Sequence, residues 1–134
     1  MRIAVIGDTH GRIIGISRAL AKNPPDYLIH TGDYYADALK IAQTLNLPFY
    51  AVRGNCDARG DEPAELLVEL SGWRIYIVHG HQYGVKRTIN NIYYRGLEVE
   101  ANIVIFGHTH VPLCEKVGDL WLINPGSISR PRLT

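Results

Sequence analysis

Short apolar runs alternate with amphipathic segments through the first half of the chain. The runs at 2–6, 26–30 and 48–52 are rich in β-branched and aromatic residues, which predicts buried strands. Apolar residues recur at helical spacing over 12–21 and 36–45, which predicts two helices between those strands. This strand–helix rhythm favours a parallel sheet with right-handed crossovers.

The second half of the chain carries a different pattern. Two strand-like runs at 64–70 and 73–78 flank Ser71-Gly72, which predicts an antiparallel hairpin. Residues 85–100 have helical spacing and predict a third helix, although Gly96 weakens that prediction.

The remaining apolar runs predict three more strands, at 103–106, 112–117 and 120–123. Together the elements predict an α/β fold with two packed mixed β-sheets flanked by helices, mostly parallel first and more antiparallel later. The 134 residues suffice for one hydrophobic core, so we expect a single domain over 1–134.

Composition narrows the class of function. The net charge of +1 gives no electrostatic footprint for long nucleic acid. No apolar run approaches the length needed to span a membrane. The N-terminus lacks a secretion-signal pattern, and Cys56 and Cys114 form no disulfide framework. We therefore expect a cytoplasmic protein without a membrane partner.

Hydrogen-bonding and ionisable groups mark the ends of five predicted strands. They comprise two carboxylates, one amide and four imidazoles: Asp8, His10, Asp33, Asn55, His79, His108 and His110. Ligands of α/β proteins gather at the carboxyl ends of strands, so we expect these groups to converge. Oxygen and nitrogen ligands without thiolate suit Mn²⁺, Fe²⁺, Zn²⁺ or Ni²⁺. Seven ligands suit two ions bridged by one carboxylate.

Each motif taken alone also has a purely structural interpretation. Asp8 or Thr9 is typical of a helix N-cap, and Asp33 is typical of a turn after glycine. The loop 7–11 lacks the G-x-G-x-x-G pattern of a dinucleotide site. His30 lies inside a strand, and we predict a packed or hydrogen-bonded histidine rather than a ligand.

Taken together, five motifs resemble those of the calcineurin-like metallophosphoesterases. They are Gly7-Asp8-Thr9-His10, Gly32-Asp33, Gly54-Asn55, His79-Gly80-His81 and Gly107-His108-Thr109-His110. The ending Ile123-Asn124-Pro125-Gly126-Ser127, with Cys56 and the small size, is similar to the compact YfcE-type phosphodiesterase branch. The resemblance covers nearly the whole chain and implies a four-layer α/β/β/α sandwich.

The resemblance implies two divalent ions, with Mn²⁺ expected first and Ni²⁺, Zn²⁺ or Fe²⁺ as alternatives. One ion would take Asp8, His10 and His110, the other Asn55, His79 and His108, and Asp33 would bridge them. His81 matches no ligand position of the family pattern.

The implied activity is hydrolysis of a small phosphate ester, foremost a phosphodiester, by in-line attack of a metal-bridging hydroxide. Asp33, Asn55 and His79 would act through that hydroxide. The two ions outweigh the charges of Asp8, Asp33 and the hydroxide, so the site would attract phosphate.

Cys56 stands where many family members have a histidine that protonates the leaving group. A thiol with a pKa of about 8.5 is a poor general acid at neutral pH. We expect a preference for good leaving groups; the alternative is that Cys56 only packs.

Relatives usually continue past Pro131 with further strands. The edge of the second sheet would then be protected in another way, and association into a homo-oligomer stays an alternative.

Other functions compete with this interpretation. A non-catalytic scaffold such as the retromer subunit Vps29 shares two motifs with the chain, but no predicted ligand is replaced here. A phosphomonoesterase needs the same metals, and near-neutral charge disfavours a nuclease for long duplexes. Several basic side chains could contact a second substituent of the phosphate, although arginine and lysine residues are more often exposed on the surface without such a role. They are Arg53, Arg59, Lys86, Arg87, Arg130 and Arg132.

Overall fold

The computed structural model describes residues 1–58 and 60–132. A first sheet of three parallel strands is ordered β1-β2-β3, and comprises β1 (Ile3–Ile6), β2 (Tyr27–His30) and β3 (Phe49–Ala51). Helices α1 (Ile14–Lys22) and α2 (Tyr35–Leu45) connect these strands. The predicted parallel first half is confirmed.

The second sheet has five strands in the order β4-β5-β6-β8-β7. They are β4 (Glu65–Leu70), β5 (Trp73–Val78), β6 (Ile103–Ile105), β7 (Leu113–Val117) and β8 (Leu120–Asn124). The β4–β5 and β7–β8 pairs are antiparallel, whereas β6 pairs in parallel with β5 and β8. Between β5 and β6 lie a 3₁₀-helix, His81–Tyr83, and helix α3 (Asn90–Glu98).

Alternation along the strands divides the core into layers. In β5, Ile75 and Ile77 join the cluster between the two sheets, whereas Tyr76 joins a cluster with Ile92 of α3. Successive strand side chains point to opposite faces, which explains the division. A third cluster packs Ile16 of α1, together with α2, against β2. The result is the expected four-layer arrangement of helices outside two sheets.

The predicted helix over 85–100 is too long. Helix α3 begins only at Asn90, and the preceding residues form turns in which Gly84 accepts hydrogen bonds from two later amides. Val85 and Ile89 still pack against the core of the second sheet, which produced the misleading helical spacing. A Cβ at Gly96 would lie 2.6 Å from Val104, so glycine allows α3 to approach the sheet closely.

Among the described residues, no helix has both the length and the apolar character that a membrane span requires.

Candidate metal centre

Loops that follow five strands meet at one edge of the sandwich. The first sheet contributes Asp8, His10, Asp33 and Asn55, and the second contributes His79, His108 and His110. The structure therefore brings together all seven residues singled out in the sequence, from both sheets.

The first donor group comprises Asp8, His10 and His110. One ligand atom from each lies within 4.8 Å of the other two. His110 Nε2 is 3.4 Å from Asp8 Oδ1, and the His10 and His110 rings are 5.5 Å apart. Two imidazoles and a carboxylate at this spacing suit a borderline divalent cation.

The second donor group surrounds His79. Its Nε2 atom lies 3.0 Å from Asn55 Oδ1 and 3.4 Å from Asp33 Oδ2, and the His108 ring is 5.1 Å away. His79 Nδ1 is 2.8 Å from the Thr31 carbonyl, which fixes the ring and leaves Nε2 facing the other donors. Metal-ligating histidines are commonly oriented in this way.

Asp33 lies between the two groups. Its Oδ2 atom is 3.4 Å from His79 Nε2 and 4.0 Å from His10 Nε2, so one carboxylate oxygen faces both sides. The other oxygen accepts a hydrogen bond from the Cys56 amide at 2.9 Å. This placement suits a carboxylate shared by two cations.

Two buried atoms of the first group have no hydrogen-bond partner within the described parts of the chain. They are Asp8 Oδ1 and His10 Nε2. A buried polar atom left unpaired costs about 1–3 kcal/mol. Both atoms point into the same set of donors, so a bound cation would satisfy them, and the residues present fit a metal.

The backbone of the site is unusual. Five of the seven residues have φ between 48° and 70°, in the left-handed region: Asp8, His10, Asp33, His108 and His110. Asp and His tolerate this region better than most residues. Such conformations still cost about 1–3 kcal/mol each and persist only where the surrounding structure imposes them.

Two glycines allow the loops to approach one another. Gly32 has φ of 109°, and a Cβ there would lie 2.8 Å from His79 Nδ1. A Cβ at Gly54 would overlap Asp33 Oδ1. Larger residues at these positions would displace the donors themselves.

Asp57 supports the site in a way that sequence analysis missed. Its carboxylate accepts hydrogen bonds from the backbone amides of Gly54 at 2.7 Å, Asp33 at 3.1 Å and Tyr35 at 2.8 Å. These charge-assisted bonds tie the loop after β2 to the loop after β3. An acidic residue just beyond Gly54-Asn55 was the only sequence signal.

Asn124 and Ser127 support the opposite side of the site. Asn124 Nδ2 donates to the Gly107 carbonyl at 3.1 Å, and Ser127 Oγ donates to the Asp8 carbonyl at 2.7 Å. The tail motif that contains both residues contributed to the similarity to the YfcE-type branch, but its sequence did not indicate that these side chains support the site.

Burial and the local charges shift the pKa values of the candidate ligands in different directions. Burial and the neighbouring His79 lower the pKa of His108 to about 4, so its imidazole is neutral. Burial alone would raise the pKa of Asp33, but His79 and the Cys56 amide hold it well below the usual range. Burial raises the pKa of Asp8, against the opposing effect of His79 and His110.

The structure also bears on further predictions that the sequence gave for single residues. His30 is buried and hydrogen-bonded to Thr9 and the Gly32 amide, as predicted. Asp8 does not cap α1, which within the described residues has no side-chain cap. Arg53 donates to the Glu62 carbonyl at 3.3 Å, and Arg59 lies outside the described residues.

The fold agrees with comparisons to known proteins. A model of the calcineurin-like phosphoesterase superfamily domain matches residues 1–134, and the chain belongs to that family. It is 36% identical over 135 residues to the probable metallophosphoesterase YsnB of Bacillus subtilis, covering 99% of this chain and 78% of YsnB.

Two further similarities concern a relative named for its activity and a protein that shares the fold. The phosphodiesterase YfcE of Escherichia coli K12 is 28% identical over 160 residues, covering 98% of this chain and 82% of YfcE. The crystal structure of Vps29 from Entamoeba histolytica complexed with Zn²⁺ superposes with a TM-score of 0.85 at 23% identity, covering 99% of this chain and 78% of Vps29. The Vps29 similarity shows a shared fold.

Proposed function

We propose that this chain is a dinuclear metal-dependent phosphoesterase whose preferred substrates are small phosphodiesters. The observation that carries the proposal is a pair of donor groups that share the Asp33 carboxylate. The phosphodiesterase YfcE, which is similar over nearly the whole chain, supports the choice of ester.

We assign the proposed metal contacts from the two donor groups. Asp8, His10 and His110 would hold one ion, Asn55, His79 and His108 the other, and Asp33 would touch both. Mn²⁺ is the ion that the family resemblance leads us to expect first, and the oxygen and imidazole donors also suit Fe²⁺, Zn²⁺ or Ni²⁺. Two divalent ions, when bound, supply positive charge at the phosphate and lower the pKa of a coordinated water.

The chain itself positions the donors before any substrate arrives. The Thr31 carbonyl orients His79, and Asp57 fixes the loop that carries Asn55. Asp8 and His79 are fully buried, whereas Asn55 is exposed, so the site has a buried floor and one open side. A phosphate ester would enter from the side of Asn55, and the buried donors would not need to rearrange.

The test is hydrolysis by metal-stripped protein of bis(4-nitrophenyl) phosphate and 4-nitrophenyl phosphate. Mn²⁺, Ni²⁺, Zn²⁺ or Mg²⁺ is added back singly. We expect metal-dependent turnover with the diester ahead. A faster monoester would instead indicate a phosphomonoesterase.

Asp33→Asn is the decisive variant, and Asp119→Asn on an exposed turn is its matched control. Loss of a group that supports a metal site typically lowers metal affinity or activity by about 10–100-fold. We expect Asp33→Asn to lower both the turnover and the metal affinity by more than this. The control should keep both. Full activity of Asp33→Asn would refute the assignment.

A metal-binding scaffold without catalysis is the second candidate, favoured by the Vps29-like fold. The same experiment separates the two functions. Two tightly bound ions without turnover of either ester would favour the scaffold.

A further inference from the structure

Cys56 lies at the open side of the site, beside two of the proposed metal ligands. One ligand atom from each of His10, Asp33 and Cys56 lies within 4.8 Å of the other two. The Cys56 amide donates to Asp33 Oδ1 at 2.9 Å, so the backbone itself holds this residue next to the carboxylate. His10 reaches the same place from a different loop.

A second, independent observation points to a ligand in this cluster. The His10 side chain is only 5% exposed, and its Nε2 atom has no hydrogen-bond partner among the described residues. His10 also belongs to the donor group with Asp8 and His110. An ion bound to His10 therefore has the Cys56 sulfur among the nearest additional donors.

Packing does not explain this cysteine. Free cysteine is among the most buried residue types in proteins, yet Cys56 is exposed. Thiolate is a soft ligand that favours Zn²⁺ and Cd²⁺, whereas Mn²⁺ prefers oxygen donors. Ligation would replace the S–H bond by a sulfur–metal bond and release the proton to solvent.

We propose that the Cys56 thiolate is an additional ligand of the ion held by Asp8, His10 and His110, and that it biases this position toward soft divalent cations. This inference rests on the proposed metal centre. Cys56 lies where the ester would enter, so its sulfur and a substrate oxygen would compete for the same ion. Soft ions would then bind tightly and support less turnover than Mn²⁺.

The test uses Co²⁺ as a spectroscopic probe of the metal-free protein. Thiolate ligation gives a near-ultraviolet sulfur-to-cobalt charge-transfer band, which oxygen and nitrogen donors do not give. We expect this band in the wild type and in Cys114→Ser, and its loss in Cys56→Ser. Cys114 is a matched control because it is also free and exposed, on β7.

Metal affinities provide a second readout. Cys56→Ser should weaken Cd²⁺ binding by about 10–100-fold, the range seen when a supporting group of a metal site is lost. Mn²⁺ binding should change far less. Equal losses for both ions would contradict a preference that arises from sulfur.

A measurement on the wild type alone avoids any doubt about folding of the variant. ¹¹³Cd bound through sulfur resonates downfield of ¹¹³Cd bound only through oxygen and nitrogen. Co²⁺ or ¹¹³Cd that binds without either sulfur signature would overturn the role of Cys56 and leave the metal centre intact. Failure of both ions to bind would overturn the proposed function as well.

Discussion

His30 provides a test of how the floor of the site is built. Its Nδ1 atom accepts the Gly32 amide hydrogen at 2.9 Å, so the ring proton belongs on Nε2, which faces Thr9 Oγ1 at 3.0 Å. The Thr9 hydroxyl in turn donates to Asp37 at 2.6 Å. A second proton on the ring would place an N–H group against the N–H of Gly32. The folded protein therefore requires neutral His30.

The cost of protonating this ring follows from its pKa. Burial lowers the pKa of His30 from 6.5 to about 4, although Asp37 opposes the shift. The pKa difference corresponds to about 3 kcal/mol of unfolding free energy. Below pH 6.5 the unfolded chain takes up a proton that the folded chain does not accept until about pH 4. Stability is therefore complete above pH 6.5 and falls as pH decreases toward 4.

Urea unfolding of metal-free protein across this range measures the effect, because bound metal would add its own pH dependence. His30→Asn keeps an acceptor for the Gly32 amide but does not titrate. We expect the wild-type free energy of unfolding to fall by about 3 kcal/mol more than that of the variant as pH is lowered. The comparison concerns how steeply the free energy of unfolding changes with pH, so a lower overall stability of the variant does not affect it. Parallel pH curves would refute the requirement for neutral His30.

Three further substitutions test other parts of the site. Gly54→Ala should displace the Asp33 carboxylate and weaken Mn²⁺ binding in calorimetric titration. Gly15→Ala is the control, because a Cβ there meets open space, and it should leave Mn²⁺ affinity unchanged. Equal Mn²⁺ affinities of the two variants would contradict the close packing at Gly54. Cys56→His should make turnover less dependent on the leaving group across a series of aryl phosphodiesters, and an unchanged dependence would count against a missing general acid. Asn124→Ala should lower the free energy of unfolding by about 1–3 kcal/mol, because it leaves buried backbone groups unpaired; an unchanged urea midpoint would argue otherwise.

Much of the fold was predictable because periodicity reports burial directly. The run Ile103–Ile105 and its neighbours alternate between two apolar layers, so they were recognisable as strands. The same signal failed at 85–89, where apolar residues pack against the sheet from turns. Periodicity indicates which side chains are buried, but a helix and a series of turns can bury apolar residues at the same sequence intervals.

Some residues of the candidate site were predictable from the sequence, whereas others were not. Residues such as Asp33 and His79 were predictable because each comes at or shortly after the end of an apolar strand. Asp57 and Asn124 were not, since their partners lie on other loops that only the folded chain brings near. The left-handed backbone of His108 and His110 was equally hidden, because it depends on contacts distant in sequence.

The division of the donors between the two sheets has a consequence for the order in which the protein matures. Every carboxylate among the donors comes from the first sheet, whereas His79, His108 and His110 belong to the second sheet, which follows the first along the chain and is synthesised after it. A nascent chain that has already folded its first sheet would hold only Asp8, His10, Asp33 and Asn55. At the proposed metal centre, complete metal loading would therefore follow synthesis of the second sheet, and it would join two parts of the chain that are made at different times.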